Sequence, residues 1–199
     1  KKQVTDLLDE YIAQGVSQIM VLKGDYPKTI IKKGDFNYAN EMVEFIKENY
    51  LDINILVAAY PEKHPHSNCI STDIDFFVNK VNAGADKAVT QYFYNIDAYL
   101  HFIEEVQKRN IDIPITPGIM PITNYDQLIY FSKTCGAEIP AWILNKLKLY
   151  KNDLNSLKEF GEDVVSEMCL KLKDNGVSSF HFYCLNKAEP TLSIVKKIT

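Results

Sequence analysis

The stretch "INILVAAY" (Ile53–Tyr60) is an almost continuous apolar run, and the polar loop "PEKHPHSNC" (61–69) follows it directly. A strand that is apolar on both faces is typical of a parallel sheet covered by helices. Four further stretches have the same character: "QIMVL" (18–22), "KAVTQYFY" (87–94), "IPITPGIMPI" (113–122) and "SSFHFYCL" (178–185). The sequence therefore predicts five strands of one parallel sheet.

Segments with helical periodicity separate these strands. Ile74, Phe77, Val78 and Val81 repeat at helical spacing, and Gly84 follows where a helix would stop. Further helices are predicted over 4–14, 38–49, 97–109, 124–135, 154–175 and 188–198, with a short extra helix within 138–147. Strands that alternate with helices indicate the α/β class, and one composition throughout indicates one domain or part of one.

Composition narrows the classes of function. The chain has 199 residues, 46% of them hydrophobic, and a net charge of -4 without any basic stripe, which argues against nucleic-acid binding. No apolar run approaches the ~18 residues of a membrane span. The four cysteines show no paired spacing, so we expect free thiols and a cytoplasmic protein.

Polar residues collect at the predicted carboxyl ends of the strands. They are Asp25, the loop 60–67, Gln91 and Asn186, and Gly118 stands at the same edge. In α/β folds this edge carries the ligand site. Asp25 could still be a turn residue, and Gln91 could simply hydrogen-bond a neighbouring strand.

Several familiar site patterns are not found. His64, His66 and Cys69 match no standard zinc spacing, so no metal is predicted, and His64 fits better as a hydrogen-bond donor to a ligand. No G-x-G-x-x-G sequence follows a strand, which argues against a Rossmann dinucleotide site. Cys184 is predicted to be a small buried side chain. Trp142 is predicted to serve packing.

Six segments in order carry a resemblance to a known family: "LKGD" (22–25), "AAYPEKHP" (58–65), "AGADKAVTQYFY" (83–94), "PGIMPI" (117–122), "IPAW" (139–142) and "HFYCLNKAE" (181–189). Together they resemble 5,10-methylenetetrahydrofolate reductase in its bacterial single-domain form, from residue 5 to the end. The resemblance implies a (β/α)8 TIM barrel, of which residues 1–199 would hold about strands 4–8 as part of a single FAD-binding domain. Three leading βα units would be absent.

The resemblance also implies a reaction. FAD would pass a hydride from NADH or NADPH to 5,10-methylenetetrahydrofolate in two half-reactions that share one flavin face, giving 5-methyltetrahydrofolate. The general-acid Glu of the family belongs to its first strand, outside this chain. Asp25 would act electrostatically beside the flavin, disfavouring negative charge on it and stabilising the cationic folate iminium. A homo-oligomer is expected, without nucleic-acid or membrane partners.

The same resemblance assigns further residues by position. Cofactor contacts would be Lys23, Gly24, Asp25, Tyr38, Ala39, Tyr60, His64, Pro65, His66, Ser67, Asp73, Phe76, Asn79 and Lys80. Substrate contacts would be Asp25, Gln91, Gln127, Phe131 and Lys187. Lys23 and Lys187 stand where the family usually has Arg, and Lys cannot form the bidentate fork of a guanidinium. Phe76 and Asn79 replace polar and basic residues on the side of the FAD tail.

Two other interpretations remain at this point. One is a different flavin-dependent barrel oxidoreductase, such as a relative of proline dehydrogenase, although Gln91 and Gln127 at folate positions argue against it. The other is an inactive fragment or binding protein that keeps the fold without the chemistry.

Overall fold

The computed structural model describes residues 1–24 and 34–199 and has helices and strands in alternation. In chain order the elements are α1 (Lys2–Ala13), β1 (Gln18–Val21), α2 (Ala39–Asn49), β2 (Asn54–Ala59), α3 (Ile70–Asn82), β3 (Lys87–Tyr92), α4 (Ile96–Lys108), β4 (Ile115–Ile119), α5 (Tyr125–Cys135), α6 (Ala141–Leu149), α7 (Leu154–Asp174), β5 (His181–Phe182) and α8 (Ala188–Ile198). The predicted alternation is confirmed.

All five strands are parallel, and their order in the sheet is their order in the chain, β1-β2-β3-β4-β5. Each strand therefore pairs with the next one along the sequence, and at least one helix connects each pair. Sequential parallel strands with helical crossovers are the arrangement of a (β/α)8 barrel. The predicted fold class, a part of such a barrel, is confirmed.

The two faces of β2 differ in burial. Ile55, Val57 and Ala59 are fully buried, whereas Leu56 and Ala58 are half-buried. The fully buried side chains pack in a core cluster with residues of α2, α3 and α4, because those helices cover that face of the sheet. The alternate face, predicted to be as buried as the first, is more open and carries residues of the candidate site.

Gly118 marks a close approach of β3, β4 and the residue that follows β5. A Cβ atom built there would lie 2.2 Å from the Thr90 carbonyl oxygen and 2.6 Å from Cε2 of Tyr183. The Gly118 amide donates to Thr90 Oγ1 at 2.8 Å, and the Tyr183 hydroxyl donates to the Thr90 carbonyl at 2.9 Å. Only glycine leaves room for β3, β4 and the residue after β5 to meet in this way.

The last strand is shorter than predicted. It comprises only His181 and Phe182, and the chain soon turns away because Leu185 and Asn186 have left-handed φ angles of 49° and 59°. The prediction that Cys184 is buried is wrong, since it lies beyond this short strand and is exposed.

Candidate functional site

A cavity of about 570 Å³ lies at the carboxyl ends of β1 and β2, and we call it the Lys80 cavity. All but two of the residues predicted to bind the cofactor line it: Lys23, Gly24, Tyr38, Ala39, Tyr60, His64, His66, Ser67, Asp73, Phe76, Asn79 and Lys80. Of the other two, Asp25 lies outside the described residues. Pro65 does not line the cavity. It packs near Gly136 instead: a Cβ atom added to Gly136 would lie 3.0 Å from Cγ of Pro65.

Asp73 fixes the loop that follows β2. Its two carboxylate oxygens accept hydrogen bonds from the His64 amide at 2.9 Å and from the Ser67 hydroxyl at 2.7 Å. Asp73 stands in the first turn of α3, where the helix dipole also favours a negative charge. One carboxylate therefore holds two cavity-lining residues of a loop that has no sheet or helix bonds of its own.

Lys80 places a cation against the wall of this cavity. Its ammonium donates to the Ala58 carbonyl at the end of β2. Burial lowers the pKa of Lys80 to about 8, against a smaller opposing effect of Asp73. Because desolvation disfavours the positive charge of Lys80, an anionic group bound beside it in the cavity would stabilise the ammonium.

Aromatic rings stand beside these charges. Nζ of Lys23 lies 5.3 Å from the Tyr38 ring centroid, and Nζ of Lys80 lies 6.0 Å from that of Tyr60. The Tyr60 and His64 rings meet edge to face with centroids 4.7 Å apart. Cations together with flat apolar surfaces suit a ligand that combines a planar ring with negative charge.

The predicted substrate residues are distributed over other parts of the edge. Gln91 accepts a hydrogen bond from the Tyr92 amide at 3.0 Å and lines a separate small cavity. Gln127 and Phe131 lie on α5 and are half-buried. Lys187 is exposed at the start of α8. The described residues therefore do not bring this group together in the Lys80 cavity.

A second large cavity, of about 610 Å³, lies between the segment after β4 and helices α7 and α8. We call it the Lys187 cavity. Lys187 lines it together with Asn124, Lys158 and Glu162, and Glu162 also pairs with Lys197 at 2.8 Å. Sequence reasoning missed Lys158 because it lies in a helix, not at a strand end, and nothing in its local pattern separates it from a solvated lysine.

Sequence reasoning also missed residues that complete the Lys80 cavity. Val21, Leu22, Asn40 and Ala58 line it beside the predicted positions. Leu22 and Asn40 are adjacent in sequence to predicted residues, Val21 is the last residue of β1, and Ala58 lies one residue before the end of β2. The half-buried face of β2 would have been the signal for Ala58.

Residues 1–24 and 34–199 contain neither a helix suited to span a membrane nor a group of side chains suited to hold a metal ion. None of the helices in these ranges combines the length and the apolar character needed to cross a bilayer. In the same part of the chain, no three His, Cys, Asp or Glu side chains are grouped so that they could hold a metal ion. His64 and His66 contact each other instead, because the His66 amide donates to His64 Nδ1 at 3.1 Å.

The whole chain, residues 1–199, matches the family model described as methylenetetrahydrofolate reductase. The chain belongs to the methylenetetrahydrofolate reductase family. Membership decides against the relative of proline dehydrogenase. It agrees with the resemblance that the strand-end segments indicated.

Curated relatives from this family show how much of the protein the chain spans. It is 39% identical over 186 residues to 5,10-methylenetetrahydrofolate reductase of Buchnera aphidicola subsp. Baizongia pistaciae, covering 94% of this chain and 62% of the relative. It is 36% identical over 185 residues to the Escherichia coli (strain K12) protein of the same name, covering 93% and 62%. The chain therefore spans less than two thirds of the length of these methylenetetrahydrofolate reductases.

A solved structure supports the fold. The chain superposes with a TM-score of 0.59 and 18% identity on an uncharacterized protein from Clostridium thermocellum that binds two copies of 5-methyl-5,6,7,8-tetrahydrofolic acid. The match covers 90% of this chain and 70% of the other. At this identity the likeness concerns the fold alone.

Proposed function

We propose that this member of the methylenetetrahydrofolate reductase family binds FAD in the Lys80 cavity and reduces 5,10-methylenetetrahydrofolate with NADH or NADPH. The observation that carries the proposal is the convergence of the predicted cofactor residues on one cavity. Residues 1–199 would form part of a single barrel domain in that protein. The full activity belongs to the complete protein, because the chain spans only part of its relatives.

The chemistry of the cavity fits FAD. The ammonium of Lys80 supplies positive charge for a diphosphate, and Lys23 supplies a second cation near Tyr38. Tyr38, Tyr60 and Phe76 supply flat apolar surface for ring systems. These features lie on α2, α3 and the ends of β1 and β2, so the ligand would bridge two βα units, as ligands at the carboxyl edge of a barrel do.

FAD, when bound, supplies a carrier that accepts a hydride from the nicotinamide and gives one up to the folate. The protein's part is to bind and orient. Asp73 keeps the loop of His64 and Ser67 in place. Lys80 would bind the negatively charged diphosphate at the cavity wall. Gln91, with its carbonyl fixed by the Tyr92 amide, would present its amide to whichever substrate is bound.

The folate would lie toward α5 and α8. Gln127 and Phe131 would contact its rings, and Lys187 would attract its glutamate carboxylates. Asp25 would stabilise positive charge that develops on the folate as its ring opens. We expect Asp25→Asn to slow reduction of the folate more than oxidation of NADH.

The test uses the complete protein. Purified protein should be yellow, with the absorbance of bound flavin, and should oxidise NADH or NADPH with menadione as acceptor and reduce methylenetetrahydrofolate in a second assay. Colourless protein that gains no flavin absorbance with added FAD contradicts the proposal. Protein that binds the folate but oxidises no nicotinamide would be a binding protein of the same fold.

A further inference from the structure

Glu62 is the charged residue of the "YPE" segment, and the proposed function gives it no task. Its Oε2 accepts a hydrogen bond from the Glu138 amide at 2.8 Å, which joins the loop after β2 to the segment between α5 and α6. Its Oε1 is buried and meets no hydrogen-bond donor among the described residues. A buried carboxylate oxygen without a protein partner requires an explanation, because its desolvation costs free energy.

A small cavity lies directly at this carboxyl group. Its volume is about 10 Å³, and it is lined by Glu62, Gln91, Tyr92 and Cys135, with Tyr60, Pro61, Lys63, Gly136 and Ala137. That volume is about the least that holds one water molecule, and the lining offers the two or more polar partners that a buried water needs. Glu62 and the substrate residue Gln91 thus border the same one-water space.

We propose that Glu62 is a positioning residue that orients the Gln91 amide through one buried water. This inference rests on the function proposed above, in which Gln91 contacts the nicotinamide and the folate. The carbonyl of Gln91 already accepts from the Tyr92 amide, which leaves the amide nitrogen as donor. One N–H of that nitrogen donates to the water and the other stays available to the substrate, while the water donates to Glu62 Oε1.

The direction of the hydrogen bonds from Gln91 through the water to Glu62 depends on the ionisation of Glu62. A carboxylate can only accept, so it fixes the water with one hydrogen toward Glu62 and a lone pair toward Gln91. A protonated Glu62 donates to the water and removes that preference. The ionised form is therefore the one that orients Gln91.

Ionisation of Glu62 falls near neutral pH. Burial raises its pKa to about 7, the Glu138 amide opposes the rise, and the Glu138 carboxylate adds to it. The other titratable groups around the cavity have settled states or other partners. Burial raises the pKa of Tyr92 to about 12, so it stays neutral, and the Lys63 ammonium donates to the Ser67 carbonyl at 2.8 Å. Tyr60 and Cys135 are the remaining titratable residues that line the cavity.

The experiment compares the complete, FAD-loaded protein with two matched variants, Glu62→Gln and Glu138→Gln. Each removes one carboxylate, but the Glu138 side chain is exposed and does not border the cavity. The kcat and KM of NADH oxidation with menadione are measured from about pH 5.5 to about pH 8.5.

In the unmodified protein, kcat should rise with pH with a midpoint near 7. E62Q should lose that step and about tenfold in kcat at high pH, while its FAD content stays normal. E138Q should keep the step and most of the rate, with the midpoint moved to lower pH because a neighbouring negative charge is gone. Glu62→Asp keeps a carboxylate and should retain a step at reduced rate.

Two results would overturn the inference. One is an unchanged pH step in E62Q, and the other is an equal loss in E138Q. If E62Q fails to fold, the Glu62→Asp variant and ¹³C NMR titration of the glutamate carboxyl carbons in the unmodified protein decide instead, and a carboxyl group that does not titrate near neutral pH contradicts the inference. Absence of bound FAD and of NADH oxidation in the unmodified protein would contradict the proposed function itself, and this inference with it.

Discussion

The Lys80 cavity and the Lys187 cavity have similar volumes, about 570 and 610 Å³, but they hold their cations differently. Lys80 directs its ammonium to the Ala58 carbonyl and has a lowered pKa, whereas Lys187 is an exposed residue at a helix start. A desolvated charge acts strongly on a ligand, and a solvated one is screened. Under the proposed function, this difference suits the first cavity to a tightly held cofactor and the second to a substrate that binds and leaves in each cycle.

Lys80→Met should have the largest effect. It removes the buried cation while keeping most of the side-chain volume, so FAD affinity should fall about tenfold to a hundredfold, as expected when a hydrogen bond to a charged group is lost. Fluorescence titration of the apoprotein with FAD measures it. Lys187→Met is the matched control. Equal losses of FAD affinity in both variants would contradict the proposed difference between the two cavities.

The pH dependence of FAD binding sharpens the same contrast. The pKa of Lys80 is lowered from 10.5 to about 8, so the free protein loses the ammonium above about pH 8. FAD affinity should fall as pH rises through that value, by up to about tenfold per pH unit. Between about pH 8 and 10.5 the unfolded chain holds a proton that the folded apoprotein does not, so the stability of the apoprotein should rise with pH relative to Lys80→Met. If the FAD affinity of the unmodified protein does not change with pH, that result contradicts a buried ammonium at Lys80.

Asp73→Asn should have an intermediate effect. An amide cannot accept both the His64 amide and the Ser67 hydroxyl as the carboxylate does, so the free energy of unfolding should fall by about 1–2 kcal/mol and FAD should bind more weakly. Thermal melts with and without FAD measure both. Asp75→Asn is the control on the same helix, because Asp75 is exposed and its ion pair with Arg109, at 3.2 Å, lies on the surface. Equal losses in the two variants would mean that Asp73 is an ordinary surface charge.

Lys187→Met should have the smallest effect. We expect the KM for methylenetetrahydrofolate to rise about threefold with FAD binding unchanged, since an exposed cation contributes little. Steady-state kinetics of folate reduction measure it, and Lys158→Met should behave alike if both lysines face the same ligand. A change in FAD affinity would show that the two cavities are one site.

Much of the fold could be predicted from local sequence. The predictions that failed concern backbone angles and long-range contacts, which local patterns do not encode. Apolar runs and helical spacing gave the strands and helices, because burial of a face is encoded by nearby residues. For the Lys80 cavity, the strand-end pattern indicated only the loop 60–67, and the other predicted residues came from the family resemblance. The length of β5 could not be predicted, since two left-handed residues, Leu185 and Asn186, end it without a glycine.

Long-range contacts were beyond local patterns. Lys80 looked like any other lysine of a helix, and its lowered pKa comes from burial at the Ala58 carbonyl, 22 residues away. Glu62 was visible within "YPE", but its partner is the amide of Glu138, 76 residues later. Lys158 lines the Lys187 cavity only because α7 and α8 lie beside the segment after β4, and the local sequence of α7 does not indicate that arrangement.

The close approach at Gly118 has a consequence for mutational tolerance. Even alanine would place its methyl carbon 2.2 Å from a main-chain oxygen, which cannot rotate away as a flexible side chain can. In a library with every substitution at this position, selection for folded protein should return glycine alone. Position 118 would then report that β3 and β4 are assembled, whatever ligand the protein carries.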